Sequence, residues 1–403
     1  MFTWALRSVY TLQLFRNTNL QLIYASSLLM MMGAILIYPI LPVIHVSLDI
    51  PKAQIGLILS AFALPAVFIA PLAGFIADLR GRKLVMVIGL LLYGSAGLGI
   101  SMVNDFTWLL FLRTVQGVGY SGVMPLVVVL IGDSYTKEQE TAAQGMKVFV
   151  DRIGMICFPA VAGLLGVVSW HAPFLLYGLA IPLAVCILRW LPEPNIQRHT
   201  RPLTYFKNVF AVACQLRCLV IFSMSSLRFF LEYAFFTYLP IFALYALGVT
   251  VAKGGFLFTI YAAGGMLTAS QLGTLVLRCE RVKLVILAFF IQGMCLLTTP
   301  MAHSFWWLAA IMFIFGLANG IISPTQHSLL AQSALGEVRG GVVSADRVLQ
   351  NISKTVSPPI AGAILALSNV GGVFLTLGAV ALVWVVSVLF LQMQGRLRPA
   401  YNQ

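Results

Sequence analysis

The sequence predicts an all-α membrane protein, with twelve transmembrane helices in two pseudo-symmetric six-helix bundles. Three observations lead there. The 403 residues are 60% hydrophobic and 9% charged, which is too little polar surface to cover a soluble globule. Twelve apolar runs follow one another, each near the length of about 20 residues that carries a helix across about 30 Å of hydrocarbon. Glycines and prolines also recur at a fixed distance: Gly74, Gly117, Pro125, Pro159 and Gly163 return as Gly273, Gly316, Pro324, Pro358 and Gly362, each 199 positions on, and Tyr38 returns as Tyr238 at 200.

Taken in order, the first 20 residues set Arg7 and Arg16 among Phe2, Trp4, Leu6, Leu12 and Phe15. They lack a continuous apolar core and a small-residue cleavage site, so they read as an amphipathic lead-in. Six runs follow near 21–44, 54–77, 84–103, 106–131, 146–168 and 172–191. The stretch 192–217, beginning PEPNIQRHTRPLTYFKN, has prolines, basic residues and no apolar periodicity, and reads as a linker. Six more runs lie near 218–245, 254–277, 284–302, 305–331, 342–367 and 371–394. The expected domains are therefore 1–191, the linker 192–217, and 218–403. Of the 25 Lys and Arg, only Lys52 and Lys253 fall in the loops of one side, and Arg113, Arg152, Arg228 and Lys354 fall deep in the runs. The others gather in the lead-in, the even-to-odd turns, the linker and the tail. The positive-inside rule then puts both termini in the cytoplasm, in a bacterial inner membrane.

The net charge of +13 is spread over short loops, which points to topology and away from nucleic acid. Six cysteines without a C-x-x-C pair or a histidine grouping predict neither disulfides nor a metal site. No nucleotide-binding loop is present, so the chain reads as neither a primary pump nor an enzyme, and no cofactor is expected. The expected partners are a small-molecule substrate, protons and the lipid bilayer, with the chain acting as a monomer.

Between the second and third runs lies PLAGFIADLRGRKL, Pro71 to Leu84, a charged turn that cannot sit in hydrocarbon. Its Gly74, Ala77, Asp78, Gly81, Arg82 and Lys83 resemble the G-x-L-A-D-R-x-G-R-K signature of the major facilitator superfamily, with Leu79 where that family has Arg. The plainer reading is a basic turn that fixes topology alone. The second-half equivalent, LRCERVK, keeps basic residues but neither the Asp nor the second Gly. Arg113, Gln116, Gly117 and Gly119 are similar to the family's fourth-helix R-x-x-Q-G element, which is linked there to proton coupling. YPILP, Tyr38 to Pro42, resembles the P-x-x-P element of drug and proton antiporters. Gly154, Pro159 and Gly163 resemble the exporters' fifth-helix motif, with Phe158 in place of one glycine. The resemblance implies parallel six-helix repeats, alternating access and a substrate site near mid-membrane. It also implies a cytoplasmic latch at Asp78, with Gly74, Gly81, Arg82 and Lys83.

Ionisable side chains cost a few kcal/mol each in hydrocarbon, so those that persist usually face a cavity or a partner. Glu232 stands one helical turn after Arg228 in the seventh run and is the expected proton carrier, with Arg228 and Arg113 as its tuners. A fixed Arg228–Glu232 pair is the alternative. For Arg113 the alternative is satisfaction by helix carbonyls or by Asp105. Lys354, in QNISKTVSPP, either pairs with Glu232 or meets an anionic group of the substrate. Gln350, Asn351, Gln116, Tyr38, Tyr120 and Tyr233 are expected beside Lys354 in the cavity. Asp151, Arg152, Asp346 and Arg347 lie one or two turns inside the cytoplasmic ends and read as gate contacts between the halves, or as side chains snorkelling to the headgroups.

Deep in the runs, Arg113, Arg152, Arg228 and Lys354 outnumber Asp151 and Glu232. That sign disfavours lipophilic cations and suits a carboxylate-bearing or zwitterionic metabolite such as a siderophore. The expected function is thus proton-driven export of such a molecule. Multidrug efflux, proton-coupled uptake of an organic acid, and a lipid flippase or non-transporting sensor are the alternatives.

Overall fold

The computed structural model describes residues 17–135, 137–193, 214–333 and 339–394. Most of the lead-in, most of the linker and the basic tail lie outside the described residues. The rest forms α1 (Thr18–Ser47), α2 (Lys52–Arg80), α3 (Arg82–Ile100), α4 (Phe106–Ser134), α5 (Lys137–Val168) and α6 (Ala172–Trp190). These are followed by α7 (Leu216–Leu247), α8 (Val251–Arg278), α9 (Arg281–Met301), α10 (Phe305–Ser333), α11 (Arg339–Leu367) and α12 (Val370–Met393). Among the described residues there is no strand.

Eleven of these helices are long and apolar enough to cross a membrane. The exception is α11, the least apolar, because Asp346, Arg347, Gln350, Asn351 and Lys354 crowd its first half. Several helices overrun their apolar stretches. α5 begins at Lys137 rather than near 146, since KEQETAAQG is polar yet rich in helix formers. Polar caps fix the starts: Asp105 accepts from the Trp108 amide at 2.9 Å to open α4, and Asn369 accepts from the Gly372 amide at 2.8 Å to open α12. Inside α1, Pro39 sits within a 3₁₀ turn at Tyr38–Ile40 and Pro42 follows it, and the regular helical ladder is interrupted there.

The chain falls into two compact units, divided at residue 199, with residues 51–56 belonging to the second. Each unit uses the same close approach. Gly117 of α4 lies against the Phe62 carbonyl of α2, and Gly316 of α10 lies against the Tyr261 carbonyl of α8. Phe62 and Tyr261 are themselves 199 apart, so the repeat read from glycines and prolines extends to the backbone each glycine touches. A methyl group at either glycine would collide with main chain, which has nowhere to move. Outward faces carry exposed Phe68, Phe75, Val167, Trp190, Trp306 and Val383, as a surface bathed in lipid requires.

Candidate functional site

In the first unit the charged turn is tied down from three directions. Gly81 has φ +104°, a conformation only glycine adopts readily, and it ends α2 and starts α3 within one residue. The exposed amides at the start of α3 donate to the Glu193 carboxylate, Arg82 N–H at 2.5 Å and Lys83 N–H at 3.2 Å. An anion at a helix N-terminus is favoured by both hydrogen bonding and the helix dipole. The Arg82 guanidinium is buried, pairs with Asp133 at the end of α4, and lies 3.5 Å from Asp78. Leu79 is exposed and outside this network. A Cβ on Gly74 would meet nothing within 4 Å, so no close approach explains that glycine.

Deeper in the same unit, Arg113 is fully buried. It donates to Gln116 Oε1 at 2.6 Å and to the Gly33 carbonyl at 2.9 Å, and lies 4.7 Å from the centroid of the Phe62 ring. Two expectations change here. Asp105 caps α4 and is not the partner of Arg113. Gln116, expected in the cavity, is fully buried in service of Arg113. Tyr120 packs on Phe62 with centroids 5.0 Å apart, and Tyr38 is buried in the α1 turn. Asp151, expected at the gate, accepts from Ser27 Oγ at 2.6 Å and from Lys147 Nζ at 2.7 Å, all inside its own unit. Arg152 beside it is half-buried.

In the second unit three helices converge on Glu232. Tyr261 of α8 donates its hydroxyl proton to Glu232 Oε1 at 2.8 Å, and Asn319 of α10 donates its amide to the Tyr261 oxygen. Arg228 is buried, 4.1 Å from the centroid of the Phe229 ring, and Lys354 Nζ lies 4.3 Å from the same centroid. Lys354 also reaches toward Tyr233, at 6.0 Å, and Asn351 Oδ1, at 3.4 Å. Among the described residues it makes no ion pair with Glu232 within 4.0 Å, so the pairing weighed from sequence is not formed. Asp346, expected as a gate residue, is 1% exposed and accepts from Gln350 Nε2 at 2.7 Å and Gln326 Nε2 at 3.2 Å. Gln350, expected in the cavity, is thereby committed to Asp346, while Arg347 is exposed.

Subtracting 199 from Glu232, Tyr261 and Asn319 gives Gly33, Phe62 and Tyr120. The two units therefore build polar contacts at equivalent positions with opposite charge: a guanidinium on position 33 in one, a carboxylate at position 232 in the other. Tyr261, Asn319, Glu193, Asp133, Ser225 and Gln326 were not singled out from the sequence. The repeat offset pairs Tyr120 with Asn319, but only the packing of the helices shows what that position holds.

The family described as Major Facilitator Superfamily matches residues 23–250 and 221–401. The Bacillibactin exporter of Bacillus subtilis (strain 168) is 23% identical over 369 residues, covering 85% of this chain and 88% of that protein. Quinolone resistance protein NorA of Staphylococcus aureus (strain Mu50 / ATCC 700699) is 24% identical over 390 residues, covering 93% and 96%. Among solved structures, a POT family transporter in complex with 5-aminolevulinic acid superposes with a TM-score of 0.79 at 14% identity, over 93% of this chain and 96% of that one.

Proposed function

We propose, given that the chain belongs to the Major Facilitator Superfamily of membrane transporters, that it exports a small carboxylate-bearing or zwitterionic metabolite in exchange for protons. One observation supports this reading: two cations, Arg228 of α7 and Lys354 of α11, meet on the Phe229 ring, with the Glu232 carboxylate one turn along α7 on Tyr261. Like charges brought to one ring repel, and a carboxylate of the substrate would relieve that repulsion. The tally of deep charges keeps its sign when burial is considered. Lys147 joins the cations and Asp346 the acids, so Arg113, Lys147, Arg152, Arg228 and Lys354 still outnumber Asp151, Glu232 and Asp346. Similarity to the Bacillibactin exporter supports outward transport of a metabolite.

Glu232 is the carrier in this account. While ionised it holds the Tyr261 hydroxyl through a charge-assisted bond, roughly twice as strong as a neutral one. Proton uptake weakens that bond and loosens α7 from α8. Lys354, Asn351 and Tyr233 contact the substrate, and Arg113 supplies fixed positive potential in the first unit. Asp78, Arg82 and Lys83 form the latch.

Replacing the ammonium tests the substrate half. Lys354→Gln should lower export of an anionic metabolite, followed by mass spectrometry of the medium, by about tenfold, the equivalent of about 1.4 kcal/mol. Undiminished export by the variant would contradict it. A second reading, efflux of diverse drugs, is favoured by the similarity to NorA and by the aromatic rings of Phe229 and Tyr233. Under that reading the same variant would leave efflux of a cationic dye intact or raise it.

A further inference from the structure

We propose that Asp346 is a second proton-binding carboxyl, seated in a closed polar cluster with Ser225, Gln326 and Gln350. The inference rests on the proton-driven reading above and deepens it.

The first argument is a count of donors and acceptors. Gln326 and Gln350 both direct their amide groups at Asp346 Oδ2, at 3.2 and 2.7 Å, and both also reach Ser225 Oγ. Asp346 Oδ1 and Gln326 Oε1 are then left buried without a hydrogen-bond partner. A carboxylate only accepts, whereas a carboxylic acid also donates. A proton on Asp346 supplies the donor that this cluster, with its surplus of acceptors, lacks. The charged and titratable groups around it are Arg228 on α7, His327 on α10, and Arg347 and Lys354 on α11. Among the described residues none of these is within ion-pair distance of the Asp346 carboxyl.

The second argument comes from the repeat. Position 346 corresponds to Lys147, position 350 to Asp151, and Ser225 to Ser26, the neighbour of Ser27. In the first unit this same corner is a closed ion pair: Lys147 Nζ donates to Asp151 Oδ2 at 2.7 Å and Ser27 Oγ donates to Oδ1 at 2.6 Å, so both carboxyl oxygens are satisfied. The second unit has an acid where the lysine stood and an amide where the acid stood. Its carboxyl keeps the hydroxyl and the dry surroundings but loses the counter-ion one turn away. A carboxylate paired with a lysine stays charged, whereas one that meets only neutral hydroxyl and amide donors in dry surroundings has no full counter-charge to offset the cost of burying its own, and a proton can take that place.

The test reads protonation directly. The full-length protein is reconstituted in lipid vesicles and infrared difference spectra are taken between about pH 5 and 9, where exposed carboxyls, with ordinary values of about 4, stay ionised. The C=O band of protonated carboxyls should disappear as pH rises. One component should survive in Glu232→Gln and vanish in Asp346→Asn. Asp346→Glu, which keeps the acid, should restore that component at a shifted frequency and covers the case in which the amide variant does not fold. A spectrum of Asp346→Asn identical to wild type, or a Glu232→Gln spectrum with no remaining band, would overturn the proposal while leaving the exporter reading in place. A wild type with no titrating band at all would overturn both.

Discussion

Glu232 is held by a hydroxyl that is itself held by an amide, so the chain Asn319 to Tyr261 to Glu232 crosses three helices in two hydrogen bonds. Removing the middle group separates its effects cleanly. Tyr261→Phe keeps the ring packed against Phe236 and Phe315 but deletes a hydrogen bond to a charged group, a loss of about 1.5–3 kcal/mol. A lower Tm and slower proton-driven efflux are expected. Asn319→Ala leaves the Tyr261 bond to Glu232 in place and should cost less; equal losses in the two variants would show that the hydroxyl is not what positions Glu232. In the first unit, Asp133→Asn leaves the buried Arg82 with only Asp78 at 3.5 Å. Breaking a buried pair from one side costs about 3–5 kcal/mol, and the remaining contact should bring the measured loss toward the lower end. A Tm unchanged by Asp133→Asn would mean that Asp78 alone satisfies the guanidinium.

Helix packing turns on the two matched glycines. Gly316→Ala pushes a methyl group into the Tyr261 carbonyl and separates α8 from α10, at a cost of about 1–3 kcal/mol for overpacking. Because Tyr261 also carries Glu232, efflux should fall together with stability. Gly273→Ala is the control, since a Cβ there meets nothing within 4 Å; it should leave both unchanged. Comparable damage from the two variants would mean that helix propensity or lipid contact, rather than the carbonyl clash, governs these sites. The repeat at 199 was legible in the sequence because glycine and proline mark it without ambiguity. What it positioned was not, because Tyr261 and Asn319 are ordinary residues until their helices are packed together. The partners of Asp346 were not legible for a related reason. Its place near a helix end suggested a gate, but the side chains that enclose it, Ser225 and Gln326, come from two other helices, α7 and α10. Glu193 was read as part of a linker and instead caps α3.

For the whole molecule, twelve helices, the two-unit division and the charged turn follow from hydropathy, periodicity and one motif, all properties of the chain as written. The substrate does not follow in that way. It depends on which buried charges face one another, and α11 sets Asp346 with Gln350 in one cluster and Lys354 on the Phe229 ring within three turns. Among the described residues the surplus of deep cations bears on substrate, and it predicts that anions or zwitterions are carried in preference to lipophilic cations. The most direct measurement is protonophore-sensitive efflux from cells producing wild type or Glu232→Gln, with a cationic dye followed by fluorescence and the medium analysed by mass spectrometry. The account predicts that an anionic or zwitterionic metabolite appears in the medium with wild type, is abolished by the protonophore, and is missing with Glu232→Gln while dye efflux differs little. Unchanged metabolite export by the variant would contradict Glu232 as the proton carrier, and loss of dye efflux alone would contradict the substrate assignment.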